Sequence, residues 1–100
     1  MPRMDIEITR KHSFDTAGLV TRVIAMAESL RDELHLDCKW RPDHKAIEFE
    51  STGGLTKGIR GEIELGVESV CVRVTLPFGL KPMRASFERV ICDEMDERLA

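Results

Sequence analysis

The chain contains no tyrosine, one tryptophan and four phenylalanines in its 100 residues. Single-stranded nucleic acid is held largely by bases stacked on aromatic rings, and so sparse a set offers no such platform. Charge argues against the same partner. Fifteen basic and eighteen acidic side chains leave a formal charge of −3, which supplies no general field for phosphates. The three cysteines, Cys38, Cys71 and Cys92, are odd in number and lack CxxC spacing, so neither a complete disulfide framework nor a zinc module is indicated. Free thiols in a reducing compartment are expected. No apolar run approaches the roughly 20 residues of a membrane span. The N-terminus MPRMDIEITRKH alternates instead of forming a signal-peptide core. The expectation is a cytoplasmic protein with no transmembrane segment.

What is present is patterned apolar surface. In the stretch from Lys57 to Leu80, Ile59, Gly61, Ile63 and Leu65 share one parity, with Arg60, Glu62 and Glu64 between them. After a turn at Gly66-Val67-Glu68-Ser69, Val70, Val72, Val74 and Leu76 repeat the pattern opposite Cys71, Arg73 and Thr75. A period of two over that length predicts two strands with one buried and one wet face. Ile63, Val72 and Val74 are core candidates; Arg60, Glu62, Cys71 and Arg73 line the opposite face. Earlier in the chain, Met4, Ile6 and Ile8 predict a first strand. Leu36, Cys38 and Trp40 predict a second, and Ile47 and Phe49 a third beyond the turn Arg41-Pro42-Asp43-His44-Lys45.

Two segments have helical spacing instead. Ser13 reads as an N-cap, followed by Ala17, Val20, Val23, Ile24, Ala27, Leu30 and Leu34, so a helix is predicted from about Phe14 to Leu34. Pro82 suits a helix start, and Met83, Phe87, Val90, Ile91, Met95 and Leu99 form a second stripe. Its other side pairs Arg84 with Glu88, Arg89 with Asp93 and Glu94 with Arg98, a face built for water. The order β-α-β-β-β-β-α predicts an α+β fold: one domain spanning 1–100, a mostly antiparallel sheet, and two amphipathic helices packed on one face. Pairing of the first strand stays open.

Chemistry is harder to find. His12 lies at a strand-to-helix junction, His35 at a helix C-terminus and His44 in a turn, and each has a plain backbone or solvent role. Alternation sends His35 and Cys38 to opposite faces, so they form no dyad. Cys71, out of phase with the valines, is the best candidate for an accessible thiol. Gly53-Gly54 lies in neither a GxxxxGK[ST] nor a GxGxxG context, and it reads as a flexible turn. No motif calls for a metal or cofactor.

IEITRKHSF, the long helix, Trp40, IRGEIEL, VCVRVTLPF and the closing helix together resemble the small polyhydroxyalkanoic acid system family, over about Met4 to Leu99. His12-Ser13, Trp40, Gly61 and Leu76-Pro77 are its most individual marks. The resemblance implies bacterial origin and a place in storage-polyester metabolism at the surface of cytoplasmic granules, and brings no catalytic residue set. Two readings follow. In the first, the chain is a non-enzymatic accessory protein that binds the polyester granule or a granule-coat protein. In the second it is a small-ligand binder or vestigial enzyme, with a pocket between sheet and long helix that uses His12 or Arg10 near its mouth. The candidate ligand or partner surface is therefore Arg10, His12, Arg60, Glu62, Cys71 and Arg73. A homodimer formed through an exposed strand edge fits either reading.

Overall fold

The apolar alternation in five segments closes into one sheet. In the computed structural model, which describes residues 5–43 and 45–99, the elements are β1 (Ile6–Lys11), α1 (Thr16–Leu34), β2 (Asp37–Trp40), β3 (Ala46–Glu50), β4 (Arg60–Leu65), β5 (Ser69–Thr75) and α2 (Arg84–Leu99). Short 3₁₀ segments occupy Gly54–Thr56 and Phe78–Met83. Met4 and His44, assigned above to the first strand and to a turn, lie outside the described residues.

The sheet order is β1-β5-β4-β3-β2, and every pair is antiparallel. The pairing left open by the sequence is thereby set: β1 lies against β5, with Ile6 opposite Val74 and Ile8 opposite Val72. Ile63 in turn faces both Val72 and Ile47, so apolar pairs run across β1, β5, β4 and β3 on one face. Both helices cover this face. Val23, Met26 and Leu30 of α1 and Ile91 and Met95 of α2 are buried with Ile6, Ile63, Val70, Val72 and Val74 in one cluster. Each such side chain contributes about 1.5–3 kcal/mol relative to exposure. Among the described residues nothing covers the opposite face of the sheet.

The helix start differs from the predicted one. Asp15, not Ser13, is the N-cap, and its carboxylate accepts from the Gly18 N–H at 2.7 Å. Gly18 is no mere helix weakness: a Cβ there would lie 2.9 Å from the Asp15 carboxylate oxygen. The C-terminus closes on His35 with φ 56°, its N–H bonded to the Arg31 carbonyl. That left-handed cap is an ordinary end for a helix.

The second helix also begins later. Pro82 falls inside the 3₁₀ segment, α2 opens at Arg84, and Met83 is exposed rather than part of the buried stripe. Met83 precedes the α-helical turns that aim Phe87 and Ile91 at the sheet. Glu94, expected on the water-facing side, is buried, with Arg98 bonded to it at 2.8 Å.

Candidate functional site

The six residues singled out by the sequence divide between the two faces. Arg60, Glu62, Cys71 and Arg73 sit on the open face of β4 and β5. Arg10 and His12 share the parity of Ile6 and Ile8 and so fall on the helix side. The sheet therefore separates them into two groups.

On the helix side, Arg10 donates through Nε to Asp96 of α2 at 3.0 Å. That bond, more than the nearby Cys92, raises its proton affinity. The two ring nitrogens of His12 are occupied. Phe14 N–H donates to Nδ1 at 3.2 Å, so the proton lies on Nε2, which donates to the Gly66 carbonyl at 3.0 Å. The His12 N–H also bonds the Glu68 carbonyl. Phe14 stacks on the imidazole at 6.0 Å, and the Arg22 guanidinium lies 4.0 Å above the Phe14 ring. A general base needs a free lone pair aimed at a substrate. His12 instead fastens β1, the β4–β5 turn and the start of α1 together.

A cleft of about 130 Å³ does lie between the long helix and the sheet, but it opens at the β2 edge, lined by Ile24, Ala27, Trp40 and Ile47, and neither His12 nor Arg10 lines it. Between the helices and the sheet the structure has an apolar void of about 10 Å³ bounded by Leu30, Phe49, Val74 and Ile91, no larger than one water. The larger concavity, about 600 Å³, lies on the open face, where Asp37, Lys39, Glu48, Glu50, Arg60, Glu62 and Thr75 line it.

That open face is knitted by charge. Arg73 reaches Glu7 at 3.2 Å, Glu62 at 3.3 Å and Glu64 at 3.2 Å, and Arg41 takes the other Glu62 oxygen at 3.1 Å. Partial burial disfavours the Arg73 charge, yet Cys71, Glu64 and Glu7 around it raise its proton affinity. Half-exposed pairs of this kind stabilise by at most about 1 kcal/mol each. Cys71 is not the accessible thiol it was expected to be. It is 8% exposed, because β5 is an interior strand and Thr9 and Glu64 flank Cys71 in register. Burial raises the Cys38 pKa, which keeps that thiol protonated and weakly nucleophilic. Among the described residues no group of three or more His, Cys, Asp or Glu is arranged to hold a metal ion.

The residues that sequence reasoning missed lie beyond β5. Phe78 is 89% exposed and Met83 51%, at the two ends of the 3₁₀ segment, while Leu80 between them packs on the core. The projection is held from below. The Asp5 carboxylate accepts from Leu76 N–H at 2.8 Å and pairs with Lys81 at 3.4 Å. These contacts, the backbone bond first, hold the Asp5 carboxyl below the usual carboxylate range. Arg84 at its base reaches Glu88 at 4.0 Å. The tip thus exposes apolar surface whose neighbouring cations are already paired. Val67, 93% exposed, lies at the far end of β5, roughly 24 Å of strand away, and is a lone apolar residue of the ordinary kind. A signal for the tip existed in Pro77 and Pro82, which bracket two bulky apolar residues in a segment too short for either period.

The model of the family described as "putative polyhydroxyalkanoic acid system protein" matches residues 6–99. The chain belongs to that family. The match takes in both helices, all five strands and the Phe78–Met83 tip. Searches of curated proteins and of solved structures return no match. No helix among the described residues is long and apolar enough to cross a membrane.

Proposed function

We propose that this polyhydroxyalkanoate-system chain is a non-enzymatic accessory protein that docks on the surface of the polyester granule through the Phe78–Met83 tip. The observation that carries the reading is the exposure of Phe78 on a turn anchored at both ends. Asp5 and Leu80 hold the backbone of the turn, so that only the Phe78 side chain is left to be ordered on binding. An uncharged ester polymer suits this apolar tip, whose flanking cations Lys81 and Arg84 each have an acidic neighbour, Asp5 and Glu88. Burying a phenylalanine contributes about 1.5–3 kcal/mol, and the half-exposed Met83 adds about 1. Attachment of this strength is reversible, as for a single short anchor. Binding rather than catalysis is further supported by His12, both of whose ring nitrogens are engaged.

Co-sedimentation of the purified chain with isolated polyester granules tests the reading. The native chain pellets with granules, and Phe78→Asp stays in the supernatant while keeping its native circular dichroism. Equal pelleting of both, or of neither, removes the proposal. Retention only by granules that keep their protein coat would move the partner from the polymer to a coat protein.

A further inference from the structure

Among the described residues β2 is an end strand of the sheet. β2 pairs with β3 on one side only. The Arg41 N–H bonds the Ala46 carbonyl at 2.8 Å, in register with Asp37 opposite Glu50. In an antiparallel pair bonded and non-bonded positions alternate, so the backbone of residues 37, 39 and 41 points at β3. The N–H and C=O groups of Cys38 therefore point outward. Beside this edge, on the helix side, a groove of about 130 Å³ runs between α1 and β2, lined by Ile24, Ala27, Trp40 and Ile47. Ile24 is 37% exposed there.

On the open face the edge has an electrostatic defect. Asp37 lies directly opposite Glu50, a like-charge cross-strand pair that destabilises the sheet, whereas Lys39 lies opposite Glu48. Glu50 has Arg60 of β4 on its other side and Asp37 accepts from the Thr52 hydroxyl at 3.4 Å, so a cation on the outer side of Asp37 would complete the row; Lys39 sits two residues away on the same face.

We propose that the occupant of this edge is a second copy of the chain, paired antiparallel about a two-fold axis through Cys38. In that register the outward groups of Cys38 bond those of Cys38 in the second copy, and Leu36 stands opposite Trp40. Asp37 then faces Lys39 of the second copy, twice by symmetry. Each row across the junction reads Glu50, Asp37, Lys39, Glu48, which places a cation on the outer side of Asp37. A shift of one step in either direction sets Lys39 against Lys39 or Asp37 against Asp37. A lysine on an edge strand is a common device against indiscriminate pairing; here it admits one register and rejects its neighbours. The two sheets join into ten strands, and the Ile24–Trp40 groove is continued by its copy. A four-residue edge buries less than a standard interface, so the dimer is a weak, concentration-dependent one.

Sedimentation velocity on the full chain, from micromolar to millimolar, decides the matter. The native chain shows a monomer–dimer equilibrium. Asp37→Lys weakens it roughly tenfold, because two repulsive pairs replace two attractive ones. The same substitution removes the clash with Glu50, so monomer stability in urea holds or rises. Loss of dimer therefore cannot be loss of fold. Lys39→Asp weakens the dimer similarly, and the exchange Asp37→Lys with Lys39→Asp restores it to within about threefold of native. A native chain that stays monomeric at millimolar concentration, or an exchanged variant as weak as the single ones, overturns the proposal.

Discussion

Gly61→Ala is the smallest substitution that tests how the sheet and its core are joined. Gly61 sits in β4 on the helix-covered face, opposite Phe49 of β3 and Val74 of β5. The space where a side chain would stand is occupied. A methyl group there would lie 2.8 Å and 3.0 Å from two carbons of the Phe49 ring, and inside van der Waals contact with the Arg73 carbonyl oxygen. Displacing the ring is overpacking, at about 1–3 kcal/mol. The carbonyl belongs to the β5 backbone, and moving it disturbs a ladder hydrogen bond worth about 1 kcal/mol. Together these give a loss of about 2–4 kcal/mol, which in a chain of this length lowers Tm by about 10–25 °C. Thermal and urea unfolding followed by far-ultraviolet circular dichroism measure it. Combining the substitution with Phe49→Leu removes one of the two obstacles, so the double variant is about 1 kcal/mol more stable than the sum of the single ones. A loss from Gly61→Ala below about 1 kcal/mol, or no relief from Phe49→Leu, would show that the ring does not fill this space.

Asp5→Asn lowers stability by about 1–2 kcal/mol at neutral pH, since the Leu76 N–H and Lys81 lose a charged acceptor. Because the folded-state pKa of Asp5 is depressed, its contribution is present above the ordinary carboxylate range and disappears as pH falls through the lowered value. Urea midpoints taken from neutral to strongly acid pH should therefore fall less steeply for the asparagine variant. Arg98→Met leaves Glu94 buried without its partner, so it lowers Tm by roughly 5 °C more in the native background than in a Glu94→Gln background. Equal effects in scanning calorimetry would mean that the pair is not coupled. His12→Ala loses the bonds to Phe14 and Gly66 and costs about 1–2 kcal/mol in urea unfolding; granule co-sedimentation of the folded variant stays native, whereas a fall in binding would give His12 a role beyond joining β1 to α1.

The sheet was legible in the sequence because its signal is periodic. Ile63, Val72 and Val74 alternate with charged residues, and the structure buries all three while leaving Arg60, Glu62 and Arg73 on the other face. Pairing of β1 with β5 was not legible, since alternation fixes which face a residue takes but not which strand lies beside it. Residue type did not settle the cap: Ser13 and Asp15 are both good caps, and in the fold it is Asp15 that bonds the Gly18 N–H, after Phe14 has packed on His12 and Arg22. Cys71 was misjudged because parity says nothing of how closely neighbouring strands enclose a small side chain. Glu94 was placed in water by its charge, while its position on α2 puts it under Arg98. Phe78 escaped notice, and Met83 was assigned to the buried stripe of α2, for a different reason. They lie in a 3₁₀ segment, where neither the helical nor the strand period applies, so no pattern marks them as facing outward.

The docking of the tip on polyester can be read directly from a fluorophore placed in it. With Trp40→Phe to remove the native indole and Phe78→Trp to report from the tip, emission is that of a solvated indole in the free chain. On titration with polyester particles it shifts to the blue, and iodide quenching falls in step with the fraction bound. Emission and quenching that stay unchanged while the protein sediments with the particles would place the contact elsewhere on the molecule and contradict the account.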